Sequence, residues 1–512
     1  MFVAYAALTP PFSADKDSAE FALVLATHGI AHPTGYPLFT FAGHLFVQAV
    51  HALGAGWPLA ANLWAGVGGA VAMLLLQRLA LALLPAEHPG GRVARFALSL
   101  LPVAWFAFNP LWTYEATLAE VYSWHVAWGL GAALFFAHAV RRMSSAPLVP
   151  MAVAWGLLCG LGMAHHATAG LLILPCSLGL LVALVQAKRT NVLAASGLGL
   201  LAVAASVLPL SSYLLILWRE THTESVQWPP LMPGWAGLWE HVSGKQYWRL
   251  LGKFEPSRVQ VDLLARYLWP FLWAAIAVQL AAWPAAKGPR ARLVRGTLFL
   301  AAALMLAHVF SYGAPDPSSY FLLPFALAIA SLPALLAAIA ARSGTLLQGA
   351  RFAAAGLGIV AIGFWWPWWN AGRDRVELFG KFDSVVRAMW NVVPADHAFV
   401  FWTNDMYALL HEYQRFEQLK PGVEVYNATS LTWSRSRARF AARHGFDPGE
   451  GYEEAIRSVR SGDPDSVTAA VIQHIETRVN ALSPWQVVHF DPAIPTVRLL
   501  RKPGAAPADS AR

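Results

Sequence analysis

The sequence predicts an all-α polytopic membrane bundle followed by a small soluble α/β domain. Three observations predict it. Of 512 residues, 57% are hydrophobic and only 13% charged, and the mean hydropathy is +0.46, whereas soluble globular chains carry about 25% charged residues. Several apolar stretches reach the roughly 20 residues a helix needs to cross a bilayer. From Arg373 onward the composition turns charged and mixed. A β-barrel would show alternating strands of about ten residues, and the sequence shows none.

Apolar length sets the spans. Residues 1–11 are apolar but only about half a span long. No basic n-region precedes them, so they do not read as a signal peptide. Either this helix is short or the true start lies upstream. Residues 37–53 are interrupted by His44, Gln48 and His51 and read as an interfacial or bundle-packed helix. The full spans are 59–84, 92–108, 121–140, 149–164, 169–187, 192–217, 263–283, 296–312, 320–341 and 352–369. With the short first segment this gives about eleven.

Basic residues set the sides. The net charge of +8 would suit nucleic acid if it were clustered on a soluble face, but here it lies in short groups between spans. If the spans alternate, Arg78/Arg92/Arg95, Arg141/Arg142, Lys188/Arg189, Lys287–Arg295 and Arg342/Arg351 share one face, which the positive-inside bias makes cytoplasmic. The opposite, extracytoplasmic face then receives loops 12–36, 109–120, 218–262 and 313–319, the pair His165-His166 and the C-terminal region. Acids and histidines thus gather on the outer side, although only basic clusters were used to assign it.

The domains read as 1–372, transmembrane, 373–503, soluble, and 504–512, a disordered Ala/Pro/Ser-rich tail. The soluble part shows helical patterns near 374–391, 405–420 and 450–480. Ala398-Phe399-Val400-Phe401 and Val487-Val488 read as strands. Cys159 and Cys176 both lie in apolar runs and read as buried thiols, not as a disulfide or metal site.

The chemistry concentrates in the first outer loop. Asp17-Ser18-Ala19-Glu20-Phe21 is followed by His28, then His32-Pro33-Thr34-Gly35-Tyr36-Pro37. Charges this close to spans are expensive unless they line a polar cavity. Asp17 and Glu20 are three apart and share a helix face. The plain alternative is a solvated pair favoured by the helix dipole. The Pro/Gly turn favours a site, because it fixes a rigid corner. Glu115 and Glu120, with Tyr122 after them, flank the next outer loop as site-lining candidates. His165 and His166 point different ways from one helix end, so at most one faces a cavity. Zinc needs three or four convergent ligands, and no metal site is expected. Loop 218–262 mixes Trp228, Trp235, Trp239, Tyr247 and Trp248 with Lys245, Arg249 and Arg258. An aromatic belt explains the tryptophans, while cations beside aromatics also suit a lipid-linked phosphate. Asp316, bracketed by prolines, and Tyr320 are outer-face candidates for substrate contact.

Asp17-Ser-Ala-Glu20-Phe and His32-Pro-Thr-Gly-Tyr-Pro37 resemble the GT-C class of membrane glycosyltransferases. The likeness is to bacterial relatives of the eukaryotic transmembrane protein O-mannosyltransferase. That group carries Gly and Pro where this chain has Ala19 and Thr34. Ala119-Glu120-Val121-Tyr122, His166 and Asp316…Tyr320…Pro324 are similar to it as well, and the likeness spans roughly residues 5–325. It implies a GT-C-like fold in a bacterial inner membrane, a polyprenyl-phosphate sugar donor, mannose among the candidate sugars, and a protein or glycan acceptor outside the cytoplasm. No cofactor beyond the lipid-linked donor is implied. Loss of a lipid phosphate needs little general acid, so one carboxylate base suffices, with inversion at the anomeric carbon. Asp17 is the expected base. Glu20 is expected to orient acceptor or sugar, or to exchange roles with it. His28, His32, Tyr36, Glu115, Glu120, Tyr122, His165, His166, Lys245, Arg249, Arg258, Asp316 and Tyr320 are the expected substrate-binding residues.

Two rivals predict different placements. A transporter or flippase would hold its ionisable groups at mid-membrane depth. A scaffold or sensor would show no pocket around Asp17.

Overall fold

A computed structural model describes residues 1–13, 17–84, 91–222, 231, 234–253, 269–283, 286, 288–313, 317–342, 346–403, 405–461, 465–491 and 496–502. The chain opens with α1 (Phe2–Ala7), α2 (Ser18–Thr27), α3 (Pro37–Ala52), α4 (Trp57–Leu83), α5 (Gly91–Ala107) and α6 (Pro110–Glu115). Next come α7 (Tyr122–Arg142), α8 (Leu148–His165), α9 (Gly170–Gln186), α10 (Val192–Leu210), α11 (Tyr213–His222) and α12 (Gly234–Val242). The membrane part closes with α13 (Trp269–Ala281), α14 (Pro289–Ser311), α15 (Leu322–Ile329), α16 (Leu332–Arg342) and α17 (Leu346–Val392).

Starts and stops follow local chemistry. Pro37 and Pro58 sit in the first turns of α3 and α4, where their missing N–H would be unpaired anyway. Asn109 caps α6, its Oδ1 accepting from the Leu111 amide at 2.9 Å and the Trp112 amide at 3.3 Å. Asn191 caps α10 by accepting from the Ala194 amide.

Among the described residues, six helical stretches are long and apolar enough to cross a membrane. They are Trp57–Leu83, Leu148–His165, Ala167–Gln186, Val192–Glu220, Pro289–Ser311 and Ser318–Ile339. The sequence expects about eleven. The helix over the first expected span, α1, has six residues, about 9 Å of rise. The main core gathers Tyr5, Phe106, Trp112, Phe136 and Phe325. The Trp112 indole N–H donates to Tyr5 Oη at 2.8 Å, so the buried polar ends satisfy each other. Helices α8 and α10 touch backbone to backbone. A Cβ on Gly156 or Gly160 would meet the carbonyl oxygens of Ala202 or Ser206 at 2.1 and 2.3 Å, the close approach that small residues permit in membranes.

Helix α7 carries the two ends of the bundle. It starts at Tyr122 and ends at Arg142 after 21 residues, about 31 Å along its axis. At the Arg142 end the basic clusters meet. Arg189 Nη1 donates to the Met143 and Ala146 carbonyls at 3.1 and 2.6 Å, and Arg290 Nη1 donates to the Arg141 carbonyl at 3.3 Å.

Helix α17 is 47 residues long and passes through position 373 without a break. The composition change there falls inside one continuous element. Beyond it lies a four-stranded sheet, β1 (Asp396–Phe401), β2 (Gly422–Tyr426), β3 (Gln486–Asp491) and β4 (Thr496–Leu499). The order is β2-β1-β3-β4. Strand β1 pairs parallel with β2 and β3, and β4 pairs antiparallel with β3. Helices α18 (Ala408–Glu417), α19 (Ser434–His444), α20 (Glu453–Ser461) and α21 (Asp465–Leu482) surround it. The two anticipated strands are β1 and β3. Strands β2 and β4 and helix α19 extend that reading.

Loop 12–36, expected to be polar and partly helical, contains a helix that is largely buried rather than polar. Eight of the ten residues of α2 are buried, because Phe21-Ala22-Leu23-Val24-Leu25-Ala26 supplies apolar contact all round.

Candidate active site

The His32-to-Tyr36 corner is the pivot. Gly35 has φ +86°, and Tyr36, the N-cap of α3, is also left-handed at φ 46°. A Cβ on Gly35 would stand 2.4 Å from Ile216 Cδ1 and 3.0 Å from His241 Nε2. Glycine is therefore required twice, for its backbone angle and for the approach of α11 and α12. The corner turns His32 back onto α2. The His32 amide donates to Glu20 Oε1 at 2.6 Å, and its Nδ1 lies 3.1 Å from Glu20 Oε2. On the other side of the ring, Nε2 is 3.1 Å from Tyr36 Oη and 3.9 Å from Asp17 Oδ2. Burial works against the charge on this imidazole, but Glu20 and Asp17 together outweigh it and raise its pKa to about 10. His32 is an imidazolium at neutral pH, and both ring nitrogens donate.

The two carboxylates therefore differ. Both oxygens of Glu20 are engaged by His32, and the Glu20 side chain is 14% exposed. Asp17, at the N-cap of α2, is 40% exposed and makes no side-chain cap hydrogen bond. One ligand atom from each of Asp17, Glu20 and His32 falls within 4.8 Å of the others, a spacing that a divalent cation could share.

Around this trio stand groups from distant segments. Glu120 is buried, and its charge acts on His32, Tyr36, Tyr122 and Tyr320. The His166 ring lies 6.0 Å from Tyr36, 5.9 Å from Tyr122 and 5.6 Å from Tyr320. Tyr122 and Tyr320 meet edge to face at 5.5 Å. The structure thus brings together Asp17, Glu20, His32, Tyr36, Glu120, Tyr122, His166 and Tyr320.

The other expected residues are engaged differently. His28 ends α2, ten residues beyond its start, and stacks on His44 at 4.5 Å; it faces away from Asp17 by about the length of the helix, 15 Å. Glu115 is fully buried and accepts from Ser319 Oγ at 2.6 Å, joining α6 to the turn 318–321 behind the site. His165 turns its Nε2 to the Val121 carbonyl, 3.1 Å away. Lys245 and Arg249 are on the surface of the turn 245–250. Arg258 and Asp316 lie outside the described residues.

Sequence reasoning marked Tyr247 only as one aromatic of loop 218–262 and did not single out Tyr312 or His241 as site residues. Burial, followed by the charge of Asp17, holds the Tyr247 phenol well above its usual range, and Glu20 and Tyr36 act in the same pair interactions. Tyr312 stands 5.6 Å from Tyr320. His241 is buried against Gly35. The one available signal was that Tyr247 sits two residues from Lys245 in a loop already marked for its cations.

Acidic and imidazole groups thus converge at the bundle end opposite the arginine clusters. A transporter's mid-depth placement is not what the chain shows. Residues 17–191, about a third of the chain, match the family model described as the N-terminal domain of protein O-mannosyl-transferase TMEM260. The crystal structure of ArnT from Cupriavidus metallidurans bound to undecaprenyl phosphate is similar over 96% of this chain and 92% of that one, at TM-score 0.57 and 12% identity. The apo form of the same enzyme is similar over 84% and 88%, at TM-score 0.51 and 12% identity. A comparison with curated proteins finds no match. The fold is therefore similar to that of the ArnT structures, with six helical stretches among the described residues long and apolar enough to cross a membrane. The stretch similar to the TMEM260 domain begins at Asp17.

Proposed function

We propose that the protein transfers a sugar from a polyprenyl-phosphate donor to a hydroxyl on an extracytoplasmic protein or glycan, with inversion and with Asp17 as general base. The observation that carries this is the division of labour between the carboxylates. Both oxygens of Glu20 are engaged by His32, whereas the Asp17 side chain is 40% exposed, which supports it as the carboxylate that meets an acceptor. Undecaprenyl phosphate in the ArnT structure supports a donor of that kind, and the family description points to mannose.

In the reaction, Asp17 takes the proton from the acceptor hydroxyl as its oxygen bonds to the anomeric carbon. The bond from that carbon to the phosphate oxygen breaks, and the electron pair leaves with the lipid phosphate. Attack from the opposite face inverts the centre. Glu20 and the His32 imidazolium hold the corner rigid, and Glu120, Tyr122, His166 and Tyr320 line the sugar side. Cations of loop 218–262 (Lys245, Arg249, Arg258) neutralise the leaving phosphate. Because His32 occupies both oxygens of Glu20, this reading assigns the ordering of Glu20 to His32 rather than to a metal. It also places the site end and the C-terminal unit outside the cytoplasm, with about eleven crossings, on the strength of the basic clusters at the other end.

The test is incubation of purified protein with a panel of polyprenyl-phosphate sugars. The reading expects consumption of one donor, mannose first, and a product of inverted configuration. A retained configuration, or no consumption of any donor in the panel, contradicts it.

A further inference from the structure

Helix α2, which carries both carboxylates, has three distinct faces. Phe21, Ala22, Val24 and Leu25 pack in the membrane part with Phe39, Ala60, Ala119 and Val121. Glu20 and the N-cap Asp17 face His32. The third face, Ala19 and Leu23, is one helical turn long. It lies in the core of the C-terminal unit with Trp390, Trp402, Leu409 and Tyr413. Two distant parts of the sequence therefore grip one short helix.

Polar ties stand at both ends of it. Before the helix, the buried Ser13 hydroxyl donates to Glu412 Oε1 on α18 at 2.7 Å. Burial holds the Glu412 carboxyl well above the usual carboxylate range. After the helix, the Gly29 carbonyl accepts from Arg219 Nη1 at 3.2 Å. The next residue, Glu220, pairs with Arg435 of α19, both largely buried.

We propose that the C-terminal unit is a positioning clamp for the helix that carries the base, with Glu412 and Arg435 as its positioning residues. It sets where Asp17 stands relative to His32 and a bound donor. Displacing a reacting group by about 1 Å lowers a rate by as much as 10²-fold, so a clamp of this kind acts on turnover rather than on donor binding. The inference rests on the reading of Asp17 as base. Neither Glu412 nor Arg435 touches the reacting atoms.

The test uses the full chain in lipid nanodiscs with Ser13→Ala, Glu412→Ala, their double variant and Glu412→Gln. Two quantities are read, steady-state consumption of polyprenyl-phosphate mannose and hydrogen exchange of the amides of residues 18–27. Each alanine variant is expected to lower kcat about tenfold with donor KM within about twofold, and the double variant to be no slower than the slower single, as coupled residues behave. Glu412→Gln, which keeps the accepting oxygen, is expected within about threefold of wild type. Exchange over 18–27 is expected to quicken at least about tenfold while strand β1 is unchanged. Losses that multiply in the double variant, or an unchanged kcat, overturn the clamp. If the wild-type protein consumes no donor, the proposed function fails and exchange alone decides. Quickened exchange over 18–27 with β1 intact supports the clamp, and unchanged exchange overturns it. Ser13→Ala removes a single hydroxyl from a loop, which keeps the test valid should Glu412→Ala fold poorly.

Discussion

His32 ties the first loop together. Its charge is maintained by Glu20 and Asp17 against the effect of burial, which raises its pKa to about 10 from the usual 6.5. A group raised on folding stabilises the fold most fully below its unfolded pKa, and the contribution fades as pH rises through the folded value. Stability from this group is therefore complete below pH 6.5 and is lost progressively up to about pH 10. A histidine-labelled NMR titration of the folded protein is expected to show His32 still protonated at pH 8.5, and His32→Gln is expected to flatten the fall in thermal midpoint across that window. A His32 titration centred near 6.5 would contradict this account of the trio. At this scale much was legible. Asp17, Glu20, His32 and Tyr36 lie within twenty residues of one another, so helix spacing and a Pro/Gly corner suffice to suggest that they meet. Tyr247 and Tyr312 were not legible, because only the fold carries them from beyond residue 240 to Asp17 and Tyr320.

The corner 32–37 is the most demanding of the elements. Gly35→Ala would have to fit a Cβ 2.4 Å from Ile216 Cδ1 at a φ of +86°. Crowding of this kind costs about 1–3 kcal/mol, and the left-handed backbone adds about 1–2 kcal/mol for a residue with a Cβ. The variant is expected to unfold at lower temperature and to transfer sugar more slowly. Ile216→Ala in the same chain should restore the crowding part and leave the backbone part. Thermal unfolding of the three variants checks this, and a Gly35→Ala protein as stable as wild type would refute it. The elements were unevenly legible. Most helix positions follow from apolar length, as for α4, α7 and α8. That α2 is helical was legible from the spacing of Asp17 and Glu20, but its burial was not, because its polar ends outweigh its apolar middle in a short window. The continuity of α17 was hidden because a change from apolar to charged residues at Arg373 alters the helix's surroundings without breaking its hydrogen bonding. Strands β2 and β4, five and four residues long, are too short for alternation to stand out.

For the whole molecule, charge is sorted by end. Arginines from three segments meet where α7 finishes, and carboxylates, imidazoles and phenols from five segments meet where it starts. The bundle separates a basic end from an end rich in carboxylates, imidazoles and phenols, and at the second end the C-terminal unit packs residues of α18 and β1 with Ala19 and Leu23 of α2. A GT-C-class fold was legible from the first-loop motif. The contact between that loop and residues some 400 positions away was not, since no local pattern encodes it. All of this converges on one partly exposed carboxylate at the site. The most direct measurement is the rate of sugar transfer from polyprenyl-phosphate mannose by Asp17→Asn, with donor binding measured on the same protein. The account predicts a fall of at least about 10²-fold, within the range a positioned general base supplies, with donor affinity within about threefold of wild type. Full transfer activity in Asp17→Asn would contradict it.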